Sequence, residues 1–411
     1  MAGNPETAAR AAAEAVARHA YGRLVAVLAR RSGDLTAAED ALADAFETAL
    51  RVWPERGAPD RPDAWLLTTA RRRLIDAARR SAVRRDAVPQ ITRVVEELAQ
   101  QSDTGGLPDE RLRLMLACAH PALDPALHTP LMLQAVLGLD AARIGAAFLV
   151  SPAAMGQRLS RGKARLRKAG AVFELPASHA LPERLDAVLG AIYAAYGTGW
   201  DALGIEDGPV RGLTDEAAYL AALLTRLAPE SGEALGLHAL IEHCEARAPA
   251  RRDSEGAFVP LAEQNPALWH GHRIETAETA LRRALQLGPP RRYALEAAIQ
   301  SVHAERRLTG RTNWPAAAAL YDALELRAPT LGGQVARASA HGEAFGAAAA
   351  LSQLAGLADR SEDYQPYWAA LAHWRREAGD PDGARKAYRR AAALSADPAV
   401  RQHLQDKAAT L

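Results

Sequence analysis

Residues 65–80 read Trp-Leu-Leu-Thr-Thr-Ala-Arg-Arg-Arg-Leu-Ile-Asp-Ala-Ala-Arg-Arg, a stretch that combines apolar side chains with clustered arginines. The apolar side chains recur at the spacing of one face of an α-helix, and the arginines spread over the remaining surface. Residues 71–85 contain seven arginines and one acidic residue. The sequence therefore predicts an amphipathic helix whose outer surface attracts phosphate groups.

A second basic segment, residues 151–168, has the pattern of the second helix of a helix-turn-helix. Residues 158–168 contain six basic residues and no acidic residue. Asp140 is predicted to cap the preceding helix. Ser151 is predicted to cap the second helix, with Pro152 at its first position. The two basic segments together indicate a protein that holds DNA at two places.

The faces of this helix-turn-helix follow from its apolar residues. Ile144, Ala147 and Phe148 are predicted to form the inner face of the first helix, and Met155 and Leu159 that of the second. The N-terminal half of the second helix is expected to enter the major groove, where Gln and Arg pair with base edges. The predicted DNA-contacting residues are Ser151, Ala153, Gln157, Arg158, Ser160, Arg161 and Lys163.

The composition predicts an all-α protein. The chain has 411 residues, of which 49% are hydrophobic and 5% aromatic, with much of the apolar content supplied by alanine. These proportions favour closely packed helices over sheets, and no long alternating pattern of a strand occurs. The net charge is +1, but residues 1–170 contain 25 basic and 19 acidic residues, so positive charge concentrates in the first part.

The chain has the features of a cytoplasmic protein. Two cysteines, Cys118 and Cys244, do not provide a disulfide framework. The first 18 residues lack the pattern of a signal peptide, and no stretch approaches the ~20 apolar residues of a membrane span. We expect neither a secreted nor a membrane protein.

A helix is also predicted over residues 39–52. Its inner face is expected to hold Leu42, Phe46, Ala49, Leu50 and Trp53. Prolines and a glycine then predict a loop, after which Asp63 is expected to cap the arginine-rich helix. The predicted outward-facing acidic residues of the helix are Asp40, Asp44 and Glu47.

Weak repeats occur in the second half of the chain. Residues 317–329 resemble residues 384–398, and the matching Tyr321 and Tyr388 lie 67 positions apart, about twice the tetratricopeptide period. Residues 280–289 resemble a third copy. Stacked helical hairpins are therefore expected.

No catalytic or metal-binding pattern stands out. Pairs of Cys and His, such as Cys118 with His120 or His243 with Cys244, do not supply four ligands at zinc-like spacing. We find no convincing nucleophile–base set. The sequence predicts neither an enzyme nor a cofactor or metal site.

The chain resembles an extracytoplasmic-function (ECF) sigma factor of bacterial RNA polymerase. Residues 37–46 and 65–80 match the second conserved region of that family, and residues 139–167 match the fourth. Residues 112–124 and several C-terminal segments, among them 263–269, 297–304 and 312–315, are similar to a subgroup with a tetratricopeptide-like extension. The domains implied are a region 2 domain (8–86), a linker (87–108), a region 4 helix-turn-helix domain (109–172) and the extension (176–411).

The resemblance implies a role for each surface. Asp40, Asp44 and Glu47 would dock on the largest subunit of core RNA polymerase, and the helix-turn-helix would bind the distal promoter element. No membrane partner is implied, and the extension is expected to regulate activity by packing on the DNA-binding half or by binding a protein partner. The residues predicted to hold DNA at the upstream edge of the transcription bubble are Trp65, Arg71, Arg72, Arg73, Arg79 and Arg80.

Two other functions fit parts of the pattern. A stand-alone helix-turn-helix regulator would use its extension to sense a ligand or partner, and would bind DNA specifically without polymerase. A tetratricopeptide adaptor with an incidental basic half would not support promoter-specific transcription at all.

Overall fold

The computed structural model describes residues 5–83, 110–148, 150–171, 173, 180–201 and 213–411. The predicted linker at 87–108 therefore lies outside the described residues, as do Arg84 and Arg85. The described helices form two compact units, the first within 1–198 and 212–223, and the second within 199–211 and 224–411. The described residues form helices and turns with no β-strand, which confirms the all-α prediction.

The first unit contains the two basic helices. Its helices are α1 (Pro5–His19), α2 (Tyr21–Ser32), α3 (Leu35–Arg56), α4 (Pro62–Val83), α5 (Glu110–Cys118), α6 (Pro125–Leu137), α7 (Ala141–Ala147), α8 (Pro152–Lys168), α9 (Leu181–Asp201) and the larger part of α10 (Leu213–Leu227). Both predicted DNA-binding domains thus lie in one unit. Two helices from the predicted extension, α9 and α10, lie there as well.

Helix α3 is longer than predicted, because its N-terminal cap lies outside the apolar pattern. The Asp34 side chain accepts hydrogen bonds from the backbone N–H groups of Thr36 and Ala37, so the helix begins at Leu35. This satisfies two of the backbone donors that a helix start leaves without partners. The prediction placed the start at residue 39, which marks only where the apolar periodicity becomes regular.

Close backbone contact joins α2 to α6. A Cβ atom at Gly22 would lie 1.8 Å from the backbone oxygen of Val136, so only glycine fits at this crossing. Leu24, Val25 and Leu28 on α2 are fully or almost fully buried. Helices α2 and α6 therefore share an apolar core.

Helices α9 and α10 attach to α5 through polar contacts. Arg111 forms an ion pair with Glu216, and its guanidinium carbon lies 5.0 Å from the ring centroid of Tyr219. Arg184 Nη1 lies 3.4 Å from the carbonyl oxygen of Leu116. The start of the predicted extension is consequently part of the same compact unit as the helix-turn-helix.

The second unit is a series of sequentially packed helices. They are the end of α10, α11 (Gly232–Arg247), α12 (Gly271–Gln286), α13 (Arg292–Ala304), α14 (Arg306–Thr309), α15 (Trp314–Arg327), α16 (Leu331–Phe345), α17 (Ala347–Ala355), α18 (Gln365–Glu377), α19 (Pro381–Leu394) and α20 (Pro398–Ala409). Tyr367, Trp374 and Tyr388 anchor an apolar cluster in its last helices. Tyr321 and Tyr388, the two matching repeat positions, lie on α15 and α19.

Three local predictions in the first unit are wrong. Asp63 lies inside the first turn of α4, which begins at Pro62, and its Oδ2 accepts a 2.7 Å hydrogen bond from Arg23 instead of capping the helix. Leu50 and Phe148, which the periodicity predicts on inner faces, are 49% and 37% exposed. Leu50 lies at the edge of the apolar stripe of α3, and Phe148 lies in the turn that follows the last residue of α7, where the helical periodicity no longer applies.

Candidate nucleic-acid interface

The arginines of α4 divide into exposed and partly buried positions. Arg72, Arg73 and Arg79 are exposed, whereas Arg71 is partly buried. The side chain of Arg80 lies outside the described residues. Leu66 and Ala70 of the same helix are fully buried. The helix therefore buries an apolar stripe and presents three guanidinium groups on its outer surface, as an amphipathic phosphate-binding helix requires.

Trp65 lies at the boundary between the core and the surface. It is partly buried, and its ring meets that of Trp53 edge to face with centroids 5.4 Å apart and planes at 66°. Trp53 itself is 2% exposed. This aromatic pair fixes the start of α4 against the end of α3. Stacking of a DNA base on the exposed part of the Trp65 ring stays a prediction.

The helix-turn-helix has the caps that its sequence predicts. The Asp140 carboxylate accepts a 2.9 Å hydrogen bond from the backbone N–H of Arg143, and the Ser151 hydroxyl accepts one of 3.4 Å from Ala154. Pro152 is the first residue of α8. A Cβ atom at Gly145 would lie 2.5 Å from a backbone oxygen in the turn, so the tight turn between the helices requires glycine there.

The predicted inner side of α8 is buried and most of its predicted DNA-binding side is exposed. Met155 and Leu159 are each 1% exposed, which confirms that face. The exposed residues among the predicted DNA contacts are Ser151, Ala153, Gln157, Arg158, Ser160 and Arg161. Their contact with bases or phosphates stays a prediction.

Lys163 is the exception on this helix. Its side chain is 14% exposed, and its Nζ atom lies 2.7 Å from Oε2 of Glu39, whose side chain is 13% exposed. Arg167, one turn further along α8, places Nη1 3.4 Å from Oδ2 of Asp34. Two ion pairs therefore join the predicted recognition helix to the N-terminal part of α3.

Glu39 is a functional candidate that sequence periodicity did not single out. It stands next to Asp40 but faces α8, and burial is the largest cause of a pKa raised above the ordinary glutamate value, which the hydrogen bond from Lys163 partly opposes. Its Oε1 atom is buried without a hydrogen-bond partner among the described residues. A carboxylate in this position depends on the Lys163 ammonium group for its charge compensation.

The three predicted polymerase-binding residues share the outer face of α3. Asp40, Asp44 and Glu47 are all exposed, as predicted from the helical spacing. Helix α3 thus separates its acidic residues into two sets. One set faces solvent, and the other, Asp34 and Glu39, pairs with α8.

Within the described ranges, no group of three or more His, Cys, Asp or Glu side chains is placed to hold a metal ion. None of the described helices has the length and apolar content needed to cross a membrane.

Comparisons with known proteins agree with this geometry. Residues 16–84 match Sigma-70 region 2, the segment that includes α3 and α4, and residues 184–285 match a family of unknown function (DUF6596). No solved structure gives a significant match.

One relative matches most of the chain. "Uncharacterized protein R00370" of Rhizobium meliloti (strain 1021) is 36% identical over 374 residues, which cover 90% of this chain and 88% of that protein. The similarity extends well beyond region 2, so the two proteins share their C-terminal parts as well. The chain belongs to the same family as this Rhizobium meliloti protein and, through its region 2, to the sigma-70 family.

Proposed function

We propose that this chain is an alternative sigma factor of the ECF type. It binds core RNA polymerase, directs it to one class of promoter and helps to open the upstream edge of the transcription bubble. It acts in the cytoplasm and is not itself a catalyst. The observation that carries the proposal is that, within the segment matching Sigma-70 region 2, α3 presents exposed acidic residues and α4 presents exposed arginines.

Each face has a partner of matching chemistry. Asp40, Asp44 and Glu47 present carboxylates to solvent and would meet a basic surface of the polymerase. Arg72, Arg73 and Arg79 would hold phosphates of the displaced strand, with Trp65 beside them. Helix α8 would bind the distal promoter element through its exposed N-terminal half.

The second unit would serve as the regulatory part. Its sequentially packed helices and the repeat of Tyr321 and Tyr388 support a tetratricopeptide-like extension. Such a series of helices offers an extended surface for a protein partner. We propose that this unit adjusts promoter-directed transcription through that surface.

Run-off transcription with purified core polymerase on genomic promoter fragments tests the central proposal. The full chain should produce transcripts with defined start sites and should protect promoter DNA strongly only when core enzyme is present. Specific protection without polymerase would favour the stand-alone regulator. A chain that neither joins core polymerase nor initiates transcripts would contradict the sigma assignment.

Truncation tests the regulatory role, and the structure indicates where to cut. Ending the chain at residue 175 would remove α9 and α10, whose Glu216 pairs with Arg111 in the first unit. A chain ending at Pro229 keeps both helices and removes the helices that follow. If the chain that ends at Pro229 supports promoter-directed transcription as the full chain does, residues 230–411 have no regulatory role.

A further inference from the structure

Three of the C-terminal segments that resemble the family subgroup meet around α13. Arg306 donates hydrogen bonds from Nη1 to the carbonyl of Ala262 at 3.1 Å and from Nη2 to that of Gln264 at 2.6 Å. Its guanidinium carbon lies 5.0 Å from a ring centroid of Trp269. His303 meets the ring of Trp314 edge to face, with centroids 5.4 Å apart. Residues 261–269, 297–306 and 312–315, which contain those three segments, therefore form one cluster.

Arg247, at the end of α11, lies in this cluster. It is 8% exposed, and its Nη2 donates to Oε1 of Gln300 at 2.5 Å and lies 3.7 Å from Sγ of Cys244. Its Nε lies 3.4 Å from the carbonyl oxygen of His243. Every one of these partners is uncharged. Among the described residues, no carboxylate comes within 4.0 Å of Arg247 or of Arg306.

A buried guanidinium without a counter-ion is unfavourable, because it has lost hydration and gained no opposite charge. The C-terminal end of α11 compensates only part of this charge. The neighbouring carboxylates contact other side chains. Glu296 Oε1 accepts a 3.0 Å hydrogen bond from Arg292. Glu278 accepts a hydrogen bond from Ser301, and its Oε1 lies 3.4 Å from Nε2 of His243.

Several hydrogen-bond donors of the cluster remain available to a ligand. Arg247 Nη1 donates to no described residue and is not among the fully buried atoms that lack a partner, so it keeps contact with solvent. The same holds for the ring nitrogens of His303 and the amide nitrogen of Gln300. Gln300 and His303 are three residues apart on α13 and so share one face of the helix.

The two imidazoles of the cluster are held neutral. Burial, followed by the positive charge of Arg247, lowers the pKa of His243 to about 3 and that of His303 to about 4. At neutral pH each ring therefore has one N–H donor and adds no positive charge. The positive charge of the cluster resides on Arg247 and Arg306.

We propose that Arg247, Gln300 and His303 form a binding site for an oxyanion, the carboxylate or phosphate group of a small-molecule ligand. The anion would accept hydrogen bonds from Arg247 Nη1, the Gln300 amide and a His303 ring nitrogen, and would supply the missing counter-charge. Arg306 adds a second positive charge nearby. This site goes beyond the proposed sigma-factor function, since it gives the second unit a ligand of its own.

Calorimetric titration of the full chain tests the site, with sodium phosphate and sodium succinate as separate probes and sodium chloride as the ionic-strength control. We expect saturable binding of one oxyanion per chain by phosphate, by succinate or by both, and no saturable binding of chloride. The two arms distinguish a phosphate ligand from a carboxylate ligand. Absence of saturable binding by both oxyanions would overturn the proposal.

Substitutions locate the binding. Arg247→Gln should weaken it about tenfold or more, since it removes a charge-assisted hydrogen bond and the positive charge. The matched control is Arg283→Gln, an arginine of the same unit that is 49% exposed and paired with Glu230; this variant should bind as the wild type does. Equal binding by Arg247→Gln and wild type would contradict the site.

A second variant keeps the test decisive if Arg247→Gln does not fold. His303→Gln retains a polar side chain of similar length, and it should also weaken oxyanion binding. NMR of the histidine rings adds a measurement that distinguishes direct contact with the anion from a purely structural role of His303. The ring resonances of His303 should shift on titration with the oxyanion that binds, and the ring resonances of exposed His272 should not. Unshifted His303 resonances at saturation would exclude direct contact.

Discussion

The Nζ atom of Lys163 lies 2.7 Å from Oε2 of Glu39, so the predicted recognition helix is ion-paired to the helix that presents Asp40 and Asp44. Both side chains are mostly buried, with 14% and 13% of their surface exposed, and a second pair joins Arg167 to Asp34. Under the proposed function, the two regions bind promoter elements that lie apart along the DNA. Binding of both elements would therefore require this contact to open.

Glu39→Gln should increase the affinity of the free chain for duplex DNA. Removing one partner of a buried pair leaves the other uncompensated, at a cost of about 3–5 kcal/mol, so Lys163 is expected to move into solvent. There it adds about one phosphate contact, and the dependence of affinity on salt should steepen by about one. Fluorescence anisotropy over a range of salt concentrations measures both quantities.

Glu14→Gln is the matched control for that experiment. Glu14 is 55% exposed, pairs with Arg10 four residues earlier, and changes the net charge by the same amount. Asp34 is a poorer choice, because its carboxylate also caps α3. If Glu39→Gln and Glu14→Gln bind DNA alike, the ion pair does not restrict the recognition helix.

Charge reversal of Asp40 and Asp44 to lysine should weaken binding to core polymerase about tenfold or more. Both side chains are exposed, so the fold should be retained, while like charges facing a basic partner cost several kcal/mol. The control variant carries Glu55→Lys and Asp60→Lys, two exposed acidic residues outside the predicted docking face. The affinity of each variant for immobilised core enzyme is the measurement that tests this prediction. An equal loss of affinity in both variants would indicate a general charge effect.

Local signals in the sequence predict the helix-turn-helix well. Asp140 and Ser151 act as caps, and Met155 and Leu159 are buried, because each of these features depends on residues within one or two helical turns. The periodicity predicts the start of α3 too late, since its cap at Asp34 precedes the periodic region. Caps and periodicity are independent signals, and here they mark different boundaries.

Contacts between segments that are far apart in the sequence are not predictable from the local pattern of residues. Glu39 and Lys163 are 124 residues apart, and each alone resembles an ordinary surface charge. Arg247 and Gln300 are 53 residues apart, and only packing of α11 against α13 brings them together. Helical periodicity indicates which face of a helix is inward, but not which charged residue on another helix faces it.

Alanine at Arg72 and Arg73 should impair promoter opening. Both arginines are exposed, in contrast to the partly buried Arg71, so their loss should leave α4 intact. Each lost contact with single-stranded DNA should reduce the salt dependence of binding by about 0.7. Permanganate reactivity of the bubble in the polymerase complex measures opening. Alanine at Arg10 and Arg51, two exposed arginines of the same unit, is the matched control and should open promoters normally.

The stability of the second unit should fall as the pH decreases from about 6.5 towards 4. Burial and the charge of Arg247 lower the pKa of His243 to about 3 and that of His303 to about 4, whereas both rings titrate near 6.5 when unfolded. Over this interval the unfolded chain binds protons that the folded chain does not, so acid favours unfolding by a few kcal/mol in total. Chemical denaturation at a series of pH values should show this slope. His303→Gln should reduce it, His272→Gln at an exposed position should not, and an unchanged slope in His303→Gln would show that His303 is not its source.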